Sequence, residues 1–159
     1  MNPFIYRTEQ FLPVDIGTAW DFFSSPQNLA VITPPELHFK MLTVPTHNGI
    51  YEGMIIDYTI RPFFGIMLRW TTEICQVRKP MMFTDKQLRG PYTCWEHTHT
   101  FIKQENGILM TDEIKYSLPF GILGRIAHLL TVRKQIENIF AYRKNVLNKL
   151  FTNHGNSNR

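Results

Sequence analysis

His97 and His99 stand two residues apart in the stretch GPYTCWEHTHTF, residues 90–101. Two imidazoles at that spacing can share a metal ion, pass protons or hold the polar end of a ligand. Which of these is open to them depends on the element that carries them. Aromatic and Thr side chains crowd the stretch, with Trp95, His97, His99 and Phe101 on one parity and Cys94, Glu96, Thr98 and Thr100 on the other. That is a strand's pattern, and it sends both imidazoles to one face with their Cα atoms about 7 Å apart.

Asn106-Gly107 separates this strand from a second alternating run, and Asn-Gly between two such runs favours a two-residue type I′ hairpin loop. Glu105 then pairs with Ile108, which sets Phe101 opposite Asp112, His99 opposite Ile114, His97 opposite Tyr116 and Trp95 opposite Leu118. Met110 shares this face, while Thr98, Thr100, Thr111, Glu113 and Lys115 share the other, so the histidines point inward. On the preceding strand Phe83, Asp85 and Gln87 share a face, and if Phe83 is inward so are the other two. Earlier runs place Met54, Ile56, Tyr58 and Ile60 on one side, and Leu68, Trp70, Thr72 and Ile74 likewise. The expected interior is apolar except for Asp85, Gln87, His97, His99, Asp112, Tyr116 and, from a helix, Arg143.

A buried polar group without a partner costs roughly 1–3 kcal/mol, so these side chains must satisfy one another, water or a ligand. One arrangement is a structural network in which Arg143 neutralises Asp112 or Asp85. Another is a pocket whose polar end meets a ligand while Tyr58, Trp70, Trp95 and Phe101 hold its body. His97, His99, Tyr116 and Asp112 are also the types that acid–base catalysis uses. The strand spacing suits a metal, with Asp112 diagonal to His99, but no third histidine or glutamate lies at an evident ligand spacing. No metal and no cofactor is expected.

The elements that position these residues follow in a clear order. Residues 3–12 form a first strand. Asp15 caps a short helix carrying Ile16, Ala19, Trp20 and Phe23, and Ser25-Pro26 opens a second that ends before Pro34-Pro35. Strands follow near 37–44, 54–60, 68–78, 82–88, 92–104 and 108–118, parted by turns at Asn48-Gly49, Gly65, Pro80, Gly90-Pro91 and Asn106-Gly107. A helix from about Gly124 to Phe151, roughly 42 Å long, completes the chain. Its Leu129, Val132, Ile136, Ile139, Val146 and Leu150 predict one buried stripe, interrupted where Arg143 stands. The result is an α+β domain over residues 1–151: a curved seven-stranded antiparallel sheet around a long C-terminal helix, with two short helices after the first strand. A flexible polar tail, residues 152–159, follows.

This order, together with FLPVDIGTAWDFFSSPQNLAVITPP, FTDKQLRGPYTCWEHTHTF, MTDEIKYSLPFGILG and IFAYRK, resembles the START-like, or SRPBCC, helix-grip superfamily. It looks closest to the bacterial group labelled polyketide cyclase/dehydrase-like or cell-division-inhibitor-like. The resemblance implies a cavity between sheet and helix for a hydrophobic or amphipathic ligand such as a lipid or polyketide. It also implies two alternatives: a cyclase/dehydratase-type enzyme using His97 or His99 and Tyr116, or an interaction module with a vestigial cavity. The residues themselves carry no sign of cell-division inhibition.

Composition narrows the classes. The formal charge of +4 over 159 residues is scattered rather than clustered, so no nucleic-acid partner is expected, and no apolar run is long enough for an integral membrane segment. Cys75 and Cys94 make no disulfide framework, and the N-terminus lacks a secretion signal's pattern, so a cytoplasmic location is expected. RPFFGIM (61–67) and LPFGILG (118–124) combine Pro, Phe and Gly between elements and are candidates for the rim of the cavity.

Overall fold

The computed structural model describes residues 2–43, 49–63 and 65–154. Strand β1 (Phe4–Leu12) alternates in burial as its sequence does. Asp15 then stops the extended chain and starts α1 (Ile16–Phe23): its carboxylate accepts from the Thr18 backbone N–H at 2.9 Å and the Thr18 hydroxyl at 2.6 Å. Ala19, Trp20 and Phe23 are the buried face of that helix. Ser25-Pro26 opens only a 3-10 turn, Pro26–Leu29, because the Ser25 hydroxyl donates back to the Asp21 carbonyl instead of capping. A second 3-10 turn, Pro35–Leu37, leads to β2 (Lys40–Met41), far shorter than the run expected at 37–44. Asn48 of the expected turn, Phe64 of the 61–67 stretch and tail residues 155–159 lie outside the described residues.

β3 (Ile55–Phe63), β4 (Ile66–Arg78), β5 (Met82–Arg89), β6 (Cys94–Gln104) and β7 (Gly107–Ser117) complete a seven-stranded sheet, ordered β1-β7-β6-β5-β4-β3-β2 and antiparallel throughout. The expected meander is present, with β1 returning beside β7. Helix α2 (Gly121–Ala127) runs through a π turn, His128–Val132, into α3 (Arg133–His154). The Gln10 side chain ties the far end of α3 to β1, donating to the Lys144 carbonyl at 3.1 Å and to Asn148 Oδ1 at 2.8 Å. No helix among the described residues is long and apolar enough to cross a membrane.

Two expectations are corrected. The β6–β7 loop is Glu105-Asn106, not Asn106-Gly107: Gln104 pairs with Gly107, so Phe101 faces Met110, His99 faces Asp112, His97 faces Ile114 and Trp95 faces Tyr116. Neither loop residue has positive φ, so the turn is not type I′. Gly107 is needed in the strand itself, where a Cβ would stand 2.2 Å from the Leu12 carbonyl oxygen and 2.8 Å from Phe11. Each partner moves by two residues, an even slip, so every side chain keeps its predicted face.

The second correction concerns the helix. Leu129 is exposed, and the buried stripe runs through His128, Val132, Ile136, Phe140, Arg143, Leu147 and Phe151. The π turn widens one helical turn, so residues before it are rotated relative to the α-helical phase extrapolated from α3. Arg143 lies within the buried stripe as an inward member.

Replacing Gly107 by Ala is expected to cost about 1–3 kcal/mol, since the obstructing atoms are largely backbone. Asn106→Ala, in the exposed loop, should stay within about 0.5 kcal/mol of the parent. Urea unfolding midpoints of the two variants check both.

Candidate functional site

Three neighbouring elements carry the same sequence of layers. Along β7 the inward residues are Met110, Asp112 and Ile114; along β6, Phe101, then His99 and His97, then Trp95; along α3, Leu147, Arg143 and Phe140. Met110, Phe101 and Leu147 belong to one apolar cluster with Trp20, Phe23 and Phe83. Ile114, Phe140 and Trp95 pack in a second with Trp70, Tyr92 and Tyr116. Between them lies a polar layer, completed by Asp85, which β5 pairs directly beside His97.

Asp112 organises that layer. Its Oδ1 lies 2.8 Å from His97 Nε2, 2.8 Å from His99 Nδ1 and 3.9 Å from Arg143 Nη1. A carboxylate can only accept, so His97 donates through Nε2–H and its Nδ1 is left facing Asp85 Oδ2 at 3.7 Å. The contact of His99 Nδ1 is ionic in distance but lacks a hydrogen bond's alignment; its Nε2 lies 3.6 Å from Asp85 Oδ2. Ring packing fixes both imidazoles: His99 stacks on Phe83 at 4.2 Å between centroids, and His97 meets the Phe140 ring edge-on at 5.7 Å. The Arg143 guanidinium lies over Phe140, 4.6 Å from its centroid.

The two histidines shift in opposite directions. Burial alone would lower the pKa of His99, but Asp112 and Asp85 outweigh it and the net shift is upward, favouring the imidazolium. For His97 burial and the neighbouring His99 prevail over the carboxylates, and its pKa is lowered. Burial would raise Asp112, yet His99 and His97 hold it well below the usual carboxylate range. Burial also lowers the Arg143 pKa against the pull of Asp112 and Asp85, though a guanidinium stays charged. With His99 protonated, two carboxylates face two cations.

The polar layer forms the floor of a cavity of about 170 Å³. Of the residues expected to meet a ligand, Tyr58, Trp70, Asp85, Trp95, His97, His99 and Arg143 line it; Gln87, Phe101, Asp112 and Tyr116 do not. Gln87 braces the loop before β6, its Nε2 donating to the Tyr92 carbonyl at 2.7 Å. Phe101 packs under α1 against Trp20 and Phe23. Asp112 lies behind the histidines. Tyr116 is hydrogen-bonded to His128 Nδ1 at 3.2 Å, and burial pushes its hydroxyl up to about 12. Tyr92, Phe140 and Ile139 line the cavity without having been singled out. Phe140 precedes Arg143 by three residues, so helical spacing held its signal; Tyr92 sits in a loop, where alternation offers none.

Asp85 Oδ2, His97 Nδ1 and His99 Nε2 lie within 4.8 Å of one another and are the atoms that could meet one divalent ion, with Asp112 behind both imidazoles. Asp85 supplies the oxygen that had been sought from Asp112. A positively charged Arg143 shares the floor and opposes a further cation there.

No protein-family model matches the chain, and no curated protein does. Solved structures share its fold. A Thalictrum norcoclaurine synthase point mutant bound to a transition-state analogue is 15% identical, with a TM-score of 0.70 over 96% of each chain. Ginseng major latex-like protein 151, from Panax ginseng, is 11% identical, with a TM-score of 0.67 over 95% of this chain and 99% of that one. The di-domain ARO/CYC protein StfQ of steffimycin biosynthesis is 10% identical, with a TM-score of 0.65 over 93% of this chain and 52% of that one. The chain shares with these structures the helix-grip fold, a curved antiparallel sheet around a long C-terminal helix.

Asp112→Asn leaves His99 and Arg143 without their central anion, and the expected loss is about 3–5 kcal/mol. The pH dependence has a defined sign. The folded state keeps a proton on His99 above the ordinary value of 6.5, so this contribution is complete below pH 6.5 and is lost as pH rises through the folded pKa. His97 and His128, both lowered, act with the opposite sign, adding stability as the unfolded imidazoles lose their protons through pH 6.5, and contribute no slope above roughly pH 7.5. Urea unfolding compared between the parent and Asp112→Asn should show a decline with rising pH in the parent, clearest above roughly pH 7.5, and a flatter profile in the variant, with imidazole NMR titration locating the raised pKa.

Proposed function

We propose that the protein binds a small hydrophobic or amphipathic molecule, a lipid, polyketide or similar compound, in the cavity between sheet and α3. Its polar end meets Asp85, His97, His99 and Arg143, and its body lies against Tyr58, Trp70, Tyr92, Trp95 and Phe140. The observation that carries this is a cavity of about 170 Å³ lined mostly by apolar side chains, on which Asp85, His97, His99 and Arg143 converge. Trp70 Nε1, Thr72 Oγ1, and Arg143 Nε and Nη1 find no hydrogen-bond partner among the described residues. Each such atom costs about 1–3 kcal/mol if left unsatisfied, a cost that a side-chain shift toward a bound polar group would recover. The volume supports a modest ligand: an apolar cavity of about 150 Å³ accepts a benzene ring.

Catalysis of the cyclase/dehydratase type is a second function that one feature favours. With Nε2–H given to Asp112, His97 Nδ1 is free to accept a proton, and a protonated His99 would donate through Nε2; both atoms lie beside Asp85, which would set a base and an acid side by side. Tyr116, far from that floor and committed to His128, has no part in it. The names of the norcoclaurine synthase and ARO/CYC neighbours are compatible with chemistry in such a cavity, and that of the latex-like protein implies none. A cytoplasmic location without a nucleic-acid partner fits the sequence and completes the proposal.

Native mass spectrometry of the freshly purified protein is expected to show an organic adduct that disappears on denaturation. Titration with 8-anilinonaphthalene-1-sulfonate should change the emission of Trp70 and Trp95, and Ile139→Trp or Thr72→Phe, on opposite walls, should weaken its affinity at least tenfold. Unchanged affinity in both folded variants would remove the cavity as the binding site. His97→Phe separates binding from catalysis, since binding should survive it with altered selectivity and turnover should not.

A further inference from the structure

The segment leading into α3 has its amphipathicity reversed. Gly124, His128 and Val132 form its buried stripe. Phe120, Ile122, Leu123, Ile126, Leu129 and Leu130 face outward, from 48% exposed at Ile126 to 82% at Phe120. A surface helix normally turns polar residues to water, and a contiguous exposed apolar face marks a contact surface. The segment is held closely to the chain before it. A Cβ on Gly124 would lie 2.2 Å from the Pro119 carbonyl oxygen, and the Leu123 N–H donates to the Phe120 carbonyl at 3.1 Å.

A second apolar edge adjoins it. At the start of β4 Ile66 and Met67 are 60% and 58% exposed, and the Gln135 amide donates to the Pro62 carbonyl, joining the end of β3 to the start of α3. Pro62, Gln135, Ile136 and Ile139 are also part of the cavity wall, so the end of β3 and the helix that continues from the π turn both reach the proposed binding space.

Charge selects the occupant. Between Glu113 and Glu137 the sequence has no Asp or Glu but carries Lys115, Arg125, Arg133 and Lys134, and between Asp57 and Glu73 it has none but carries Arg61 and Arg69. Lys115, Arg133 and Arg69 pair with Glu96, Glu137 and Asp57, which leaves Arg61, Arg125 and Lys134 without an ion pair among the described residues. A second copy would bring these like charges face to face. Apolar side chains at the centre and cations at the edge fit a lipid surface with anionic headgroups, where an amphipathic helix lies in the interface with its apolar side in the acyl boundary. We propose that α2, the π turn and the start of β4 dock together on an anionic bilayer surface. From there, if the cavity binds a membrane-soluble ligand as proposed above, the ligand passes between bilayer and cavity without crossing water.

Vesicle co-sedimentation tests the docking on the full chain. The parent protein should pellet with phosphatidylcholine vesicles containing about a third phosphatidylglycerol, at least tenfold more than with phosphatidylcholine alone, and raised salt should reduce the difference. Leu123→Ser combined with Leu130→Ser should lower the bound fraction at least tenfold with an unchanged urea midpoint, because both side chains are exposed. Arg125→Gln with Lys134→Gln should remove the preference for the anionic lipid. Ile139→Trp should still pellet while losing the fluorescent probe, so failure of the cavity and failure of the docking face are told apart. Docking is overturned if the parent ignores both vesicle types, if the serine variant pellets as the parent does, or if the parent is a dimer that the serine variant converts to monomers.

Discussion

One carboxylate oxygen, Asp112 Oδ1, holds the interior together. Removing an ion from water costs several kcal/mol even after the protein relaxes, so a layer holding Asp112, Arg143, Asp85 and a protonated His99 is tolerable only as a set. The fold makes the set possible by placing its members at the same height on four elements, between two apolar clusters that exclude water from either side. Asp112 satisfies His97 by a hydrogen bond and meets His99 and Arg143 in ionic contacts. It does not satisfy Arg143 completely: Nε and Nη1 remain without protein partners, and they belong to a residue on the cavity wall. The same layer is therefore a structural network and an incomplete one.

Much of this was legible in the sequence because side-chain parity is robust. The hairpin loop falls one residue earlier than Asn-Gly chemistry suggested, yet the partner shift is even, and His97, His99 and Asp112 keep their shared face. The slip improves the site, setting Asp112 directly across from His99 instead of diagonal to it. Parity says which side a residue takes but not how far along the cavity it lies. Tyr116 and Phe101 have the expected face and fall in the clusters beyond the polar layer, and Gln87 turns to a loop carbonyl its sequence position does not reveal. Tyr92 reaches the cavity from outside any periodic run.

Helix phase was less legible, and the π turn is the reason. A 3.6-residue period extrapolated back from α3 puts Leu129 inside, and nothing in HLLTV announces a widened turn. With the turn in place His128 is the inward residue, within 3.6 Å of the Phe4 ring by centroid and hydrogen-bonded to Tyr116. One local irregularity thus seals the cluster beneath the polar layer and, by the same rotation, leaves Leu129 and Leu130 on the surface.

That rotation has a thermodynamic consequence. Leucines left in water forgo roughly 1.5–3 kcal/mol apiece relative to burial, so the exposed row from Phe120 to Leu130 adds nothing to the stability of the isolated domain. An α-helical turn in place of the π turn would rotate part of the row inward but would move His128 off Tyr116 and Phe4. The chain keeps the aromatic–imidazole packing and leaves the apolar row outside. An apolar face held in place by interior packing, adjoining the cavity wall and flanked by cations, is available to any surface that can bury it. The free energy left unused in the isolated domain is then the free energy available for docking.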